Sequence, residues 1–172
     1  CCWRQGIRMF FAIGYFEMAG TEKTRIDLST EFHVRPCRKN ETDMESALLE
    51  AKARGYDTII LYGVLQVRFD HTMANLYLLL HRDPAIWLMD EKNRVRIIGK
   101  GVYHIRKEYR YLSFLALEDS CISESGVSYP LTRRQISVQD IYTISNEITA
   151  SSARIEVHSG RLLMMECDDQ HE

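Results

Sequence analysis

Along the first half of the chain, short unbroken apolar runs alternate with stretches whose apolar residues recur every three or four positions. Phe10-Phe11-Ala12-Ile13 reads as a buried strand ending at Gly14, and Phe32-His33-Val34 as a weaker one. Thr42 to Arg54 reads as a helix with Met44, Ala47, Leu48 and Ala51 on one face; Thr42 and Glu45 have capping-box spacing, and Gly55 suits the C-terminal stop. Thr58-Ile59-Ile60-Leu61-Tyr62 is too continuously apolar for a half-exposed strand, so it is expected to be central and parallel. From His71 to Leu80, Met73, Leu76, Tyr77 and Leu80 fall at i, i+3, i+4 and i+7, which predicts a helix with those four on one face.

After Ala85 the period changes to two. Ala85 to Met89 and Arg94 to Ile98 are predicted strands around the turn Asp90-Glu91-Lys92-Asn93, and no convincing helix follows. Ala153, Ile155 and Val157 alternate with Arg154, Glu156 and His158; Ser159-Gly160 is then expected to turn the chain into Leu162-Leu163-Met164-Met165 as a hairpin. The expected fold is α/β plus all-β: a Rossmann-like parallel-sheet domain over 1–92, then an antiparallel β-sandwich over 93–172. No internal repeat or low-complexity linker marks the boundary.

A length of 172 residues with 45% hydrophobic residues is enough for one ordinary domain or two small ones. The net charge of −2 gives no general attraction to nucleic acid or anionic membrane, so an anionic ligand has to be held locally. Aromatics and cations do interleave in Tyr103-His104-Ile105-Arg106-Lys107 and Tyr109-Arg110-Tyr111, a pattern that can stack on bases. Given the acidic balance, exposed strand faces are the better reading and no nucleic-acid partner is expected. Apolar stretches such as Met9 to Phe16 and Ile59 to Leu65 are far shorter than the roughly 20 residues of a bilayer span. The five cysteines, Cys1, Cys2, Cys37, Cys121 and Cys167, contain no Cys-x-x-Cys pair and suggest a reducing cytoplasm rather than a disulfide framework. The chain opens on Cys1-Cys2-Trp3 without Met or signal-peptide pattern, which leads to the expectation of an N-terminal truncation.

The densest chemistry is Arg68-Phe69-Asp70-His71-Thr72-Met73-Ala74-Asn75, where a strand gives way to a helix. Carboxyl ends of strands in open α/β sheets bind ligands, and helix N-termini favour phosphate. Judged alone, Asp43 and Asp70 are helix-start residues complementing the dipole, and Arg68 a salt-bridged surface residue. No Walker A sequence occurs, Gly99-Lys100-Gly101 lacks the next glycine at His104, and neither a His-x-x-x-His nor a Gly-x-Ser-x-Gly pattern is present.

The octet resembles the Gly-Gly-Arg-Phe-Asp-His-Thr-Leu-Ala-Asn signature of the thiamine pyrophosphokinase family, which transfers the diphosphoryl group of ATP to thiamine with Mg²⁺. Asn40-Glu41-Thr42-Asp43-Met44-Glu45 resembles the family's Asp-Glu-Thr-Asp-Thr-Glu, and Gly14-Tyr15-Phe16-Glu17-Met18 its Gly-Asp-Phe-Asp-Ser. Tyr111-Leu112-Ser113-Phe114, Gly126-Val127-Ser128-Tyr129-Pro130-Leu131 and Ile144-Ser145-Asn146-Glu147 are similar, in order, to its second domain.

The resemblance implies Mg²⁺ on Asp43, Asp70 and Glu17, with Asp43, Asp70 and Arg68 as the catalytic set. It implies ATP along Lys39, Thr42, Arg68, His71, Thr72 and Asn75, and thiamine at Ser145 and Asn146. It also implies a homodimer, with thiamine held between the sandwich of one subunit and the α/β domain of the other. Family members begin with a further strand and an Ala-Asp-Gly-Gly-type loop that has no counterpart here. Tyr15 stands where the motif has its first aspartate, and a phenol of pKa about 10 does not replace a carboxylate on Mg²⁺. Gln66-Val67 stands where it has Gly-Gly, whose bare backbone approaches phosphate. The alternative expectation is therefore a catalytically impaired thiamine-binding homologue.

Overall fold

The computed structural model describes residues 9–13, 43–56, 58–65, 68–81 and 86–169, with backbone alone for 9–13, Asp43 and Ser46. The weak strand expected at Phe32 to Val34 lies outside the described residues. The fold is mostly β, with two helices and two sheets among these residues. Strand β1 (Met9–Ile13), helix α1 (Asp43–Ala53), β2 (Thr58–Tyr62), helix α2 (Phe69–His81) and β3 (Ile86–Met89) come first. They are followed by β4 (Asn93–Ile98), β5 (Gly101–Arg106), β6 (Tyr111–Ala116), β7 (Ser120–Ser125), β8 (Leu131–Ile136), β9 (Asn146–Glu147), β10 (Ser152–Ser159) and β11 (Leu162–Cys167).

Helix α1 forms where the apolar spacing places it: Met44, Leu48 and Ala51 are buried and Ala47 packs beside them. It stops at Gly55, whose φ of 78° is the left-handed conformation that glycine adopts without a Cβ clash. There the Gly55 N–H donates to the Lys52 carbonyl at 2.9 Å and the Tyr56 N–H to the Ala51 carbonyl at 3.2 Å, satisfying two end-of-helix acceptors. Strand β2 lies between β1 and β3 and is parallel to both, with Ile59 and Leu61 buried.

On helix α2 the buried positions are Asn75 and Leu79; of the residues sharing the apolar stripe, Leu76 and Leu80 pack partly against the core, while Met73 and Tyr77 are exposed. The buried side is set one residue back from the apolar repeat because Asn75 is pulled inward by a backbone acceptor, described below.

One seven-stranded sheet runs in the order β1-β2-β3-β4-β11-β6-β9, parallel as far as β3 and antiparallel beyond it. It therefore continues through the β3–β4 turn, where the division at 92/93 was expected. Alternation gives its second half two apolar faces. Val95, Ile97 and Leu163 join the helices in one core cluster; Ile98, Leu112, Phe114, Leu162 and Met164 join another. That second core is shared with Ile105, Ile122, Ala153, Ile155 and Val157 of the four-stranded sheet β5-β10-β7-β8.

The expected hairpin of β10 and β11 does not form. Ala153, Ile155 and Val157 are buried as predicted, but β10 pairs with β5 and β7, and β11 with β4 and β6. Gly160, with φ of 83°, carries the chain from one sheet to the other, so both strands face the same core from opposite sides.

Candidate functional site

Two places collect the predicted site residues. The first follows β2. Beyond Tyr62, the Gly63 N–H donates to the Met89 carbonyl at 2.8 Å, tying the exit of β2 to the end of β3. Val64 is buried beneath the loop, and α2 opens with Phe69 and Asp70. The Arg68 guanidinium grips the Asp70 carboxylate with two donors, Nε at 3.2 Å and Nη2 at 2.5 Å, while the His71 N–H donates to Oδ1 at 2.9 Å. The Arg68 donors beside it, then the His71 amide, hold the Asp70 carboxyl below the usual carboxylate range.

The two side chains are 71% and 60% exposed, so this is an open surface pair at a helix N-terminus. Thr72 Oγ1 donates toward the Arg68 and Leu65 carbonyls at 3.4 and 3.5 Å. One turn deeper, Asn75 Nδ2 donates to the Val64 carbonyl at 3.1 Å. Arg68, Asp70, His71 and Thr72 are thus brought together at the start of α2, with Asn75 behind them.

Asp43 is the first residue of α1, and its side chain is outside the described set, as are Glu17, Lys39, Thr42, Tyr15, Gln66 and Val67. Among the described residues no three His, Cys, Asp or Glu side chains gather as a metal site.

The second place is a pocket of about 260 Å³ lined by Glu124, Tyr129, Leu131, Tyr142, Thr143, Ile144 and Asn146. Ser145 lies between two of the lining residues. It adopts φ of 59°, uncommon for a residue with a Cβ, and its N–H is anchored on Ser113 Oγ at 2.8 Å. The next residue, Asn146, is buried and fully employed. Its Oδ1 accepts from the Tyr129 and Glu147 amides at 3.0 and 3.1 Å, and its Nδ2 donates to the Tyr129 carbonyl at 3.0 Å and to Glu124 Oε2 at 3.2 Å. Thr143 Oγ1 donates to the Phe114 carbonyl at 2.7 Å, fixing the opposite wall. Of the two residues expected to touch thiamine, Asn146 lines the pocket, and Ser145 supports it through its backbone.

Glu124 was not anticipated. It is 3% exposed, and burial pushes its carboxyl up to about 7 against the pull of the Asn146 amide. The signal was present in the period: Glu124 lies two residues from the buried Ile122 on β7, so a carboxylate occupies an inward position of an otherwise apolar face.

Both places lie in segments that resemble known proteins. Residues 4–88 match the family model described as thiamin pyrophosphokinase, catalytic domain, and residues 102–162 the one described as thiamin pyrophosphokinase, vitamin B1 binding domain. The chain is 30% identical to the thiamine pyrophosphokinase of Bacillus subtilis (strain 168) over 173 aligned positions, covering 95% of this chain and 81% of that one. A crystal structure of the Bacillus subtilis enzyme superposes with a TM-score of 0.69 at 31% identity, over 77% of this chain and 65% of that one. The thiamin pyrophosphokinase of Geobacillus thermodenitrificans superposes with a TM-score of 0.66 at 31% identity, over 79% and 66%. The superpositions thus span just under two thirds of those two structures. With both domain models matched in order, and a relative aligned along nearly its whole length, the chain belongs to the thiamin pyrophosphokinase family.

Proposed function

We propose that the chain transfers the diphosphoryl group of ATP to the hydroxyl of thiamine, giving thiamine diphosphate and AMP. The observation that carries this reading is the pocket around Asn146 and Glu124, which lies inside the segment matching a vitamin B1 binding domain. In this reaction the thiamine hydroxyl oxygen attacks the β-phosphorus of ATP. The bond from that phosphorus to the oxygen bridging to the α-phosphate breaks, AMP leaves with the electron pair, and the hydroxyl proton passes to solvent. Positioning and charge neutralisation suffice, and no covalent intermediate with the protein is needed.

Arg68 is assigned to the nucleotide phosphates, for which its two-donor fork is suited, exchanging its contact with Asp70 for them. Asp43, Asp70 and Glu17 are assigned to Mg²⁺. Asp70 suits a hard cation because its carboxyl is held ionised, faces solvent and offers oxygen donors. When bound, the ion would supply charge neutralisation on the phosphate oxygens. Lys39, Thr42, His71 and Thr72 are assigned to ATP, and Asn75 to holding the loop beneath it.

In the same proposal, 1–92 form the Rossmann-like catalytic domain and 93–172 a thiamine-binding β-sandwich. Two copies pair so that one copy's α/β domain completes the other's thiamine pocket. A cytoplasmic setting is consistent with free thiols at Cys121 and Cys167 and with no described helix long and apolar enough to cross a membrane.

Mass spectrometry of the protein incubated with thiamine, ATP and Mg²⁺ tests the reading: thiamine diphosphate and AMP are expected in equal amounts. Tyr15, Gln66 and Val67 favour a second reading, an impaired thiamine-binding homologue. Thiamine binding without product, with turnover raised by Tyr15→Asp combined with Gln66→Gly and Val67→Gly, would establish that alternative.

A further inference from the structure

Glu124 is a buried carboxylate with little part in the hydrogen bonding of the fold. Among the described residues its one hydrogen bond comes from Asn146 on Oε2, and Oε1 accepts nothing. The strands on either side present hydrocarbon to it: Leu131 on β8 and Ile155 on β10 are its register partners. A carboxylate taken out of water without a counter-charge is costly, and at this depth a fold keeps one where a ligand supplies the missing charge. The pocket it lines carries two phenol rings, Tyr129 and Tyr142, and aromatic faces with a carboxylate are a recurrent receptor for cationic rings.

We infer that Glu124 is the counter-charge for the cationic ring of the substrate, selecting thiamine's thiazolium over neutral heteroaromatic rings of the same size. The inference rests on the proposed thiamine reading of this pocket and adds its specificity residue. It also implies a proton account. Burial raises the Glu124 carboxyl to about 7, so in the free pocket part of the population carries a proton near neutral pH. A cation beside it favours the ionised form, so binding expels that proton, and affinity weakens as pH falls below about 7.

The charged groups on the strands packed against Glu124 have partners of their own. On its own strand the neighbours are serines; on β8 and the pocket rim, Arg134 stays charged and donates to the Tyr142 hydroxyl at 3.0 Å. On β9, the Glu147 side chain pairs with Arg110 at 3.6 Å. On β10, Arg154 and Glu156 pair with each other at 2.7 Å, and Glu156 and His158 line a different pocket.

The test is calorimetric titration of thiamine, without ATP, into the full chain and into Glu124→Gln, at pH 7 in two buffers of different ionisation enthalpy. The amide keeps the acceptor for Asn146 and removes the charge. Net proton release is expected from the wild type and none from the variant, with at least tenfold weaker binding in the variant and a thermal midpoint no lower. The pyrimidine nitrogen of thiamine titrates alike in both and cancels. In turnover assays KM for thiamine should rise by the same factor, with kcat changed less than about threefold. Equal affinity in the two proteins, or equal proton release, overturns the role of Glu124 while leaving thiamine binding intact. No thiamine binding to the wild type at any pH overturns the thiamine reading itself.

Discussion

Asn75 reaches back from the second turn of α2 and donates its side-chain amide to the Val64 carbonyl oxygen, 3.1 Å away and eleven residues earlier in the chain. Val64 is buried and Asn75 is 8% exposed, so this bond fixes where the helix begins relative to the strand that feeds it. Asn75→Ala leaves a buried acceptor unmet, which should cost about 1–3 kcal/mol by urea denaturation. The same change should impair ATP use only by loosening Arg68 and Asp70, so Asn75→Ala should shift KM for ATP more than KM for thiamine.

Arg68 and Asp70 form the opposite kind of pair, open to water and contributing little to the fold. Asp70→Asn and Arg68→Ala should each leave the urea midpoint nearly unchanged. Each should lower turnover by about 100-fold or more if the proposed ion and phosphate roles hold. Because Arg68 and then the His71 amide depress the Asp70 carboxyl, activity should not decline with the midpoint of an ordinary aspartate as pH falls; the decline attributable to Asp70 should come lower. A pH–rate profile of wild type, compared with Arg68→Ala, checks the direction: removing Arg68 should move that limb upward in pH.

What the sequence made legible depended on whether one residue type had one physical destiny. Helix α1 was readable because Met44, Ala47, Leu48 and Ala51 are apolar, Gly55 can go left-handed, and every local preference agrees. Helix α2 was readable as a helix, but the apolar stripe alone did not show that Asn75, with a carbonyl partner, is buried while Met73 and Tyr77 are exposed.

Alternation identified β10 and its inward residues, but a period of two carries no information on which strand will be the neighbour. The start of α2 was found from its motif, whereas Glu124 escaped because no motif names it. Only its place on an apolar face does.

Gly160 shows where the pairing of β10 was decided. A Cβ there would stand 2.0 Å from Ser120 Oγ and 2.8 Å from the Asp119 carbonyl oxygen, at φ of 83°. Gly160→Ala should therefore cost more than about 1 kcal/mol, since strain and overlap act together and the second obstacle is backbone. A lowered urea midpoint without loss of the far-ultraviolet β signal is the expected result.

Glu166, 2% exposed on β11, is held by Arg94 of the neighbouring β4 through Nε at 2.7 Å and through Nη2. The same guanidinium reaches Glu108 at 2.9 Å and lies 5.0 Å from the centroid of Tyr109, so the ion pair joins two central strands of the sheet to the loop before β6. Glu166→Ala strands a half-buried cation that keeps only its exposed partner. The expected loss is about 3 kcal/mol, toward the lower end for a broken buried pair, measured by denaturation. Glu166→Ala with Arg94→Met should recover part of it, because the orphaned charge is then gone.

Glu124 makes the stability of the fold itself depend on pH, in a direction opposite to that of a salt-bridged carboxylate. Its carboxyl is raised by burial from 4.5 in the unfolded chain to about 7 in the folded one, so between those values the folded state binds more protons. The contribution of this group is therefore fully present below about 4.5 and is lost as pH rises through about 7. The full shift corresponds to about 3 kcal/mol. Other carboxylates, Asp70 among them, push the other way in the acid range, so the clean observable is the difference between wild type and Glu124→Gln. Urea denaturation of both at pH 5 and pH 8 should show the variant gaining on the wild type by about 2–3 kcal/mol at the higher pH. A difference independent of pH would mean that Glu124 is ionised across the range and that the cost of burying it is met within the protein.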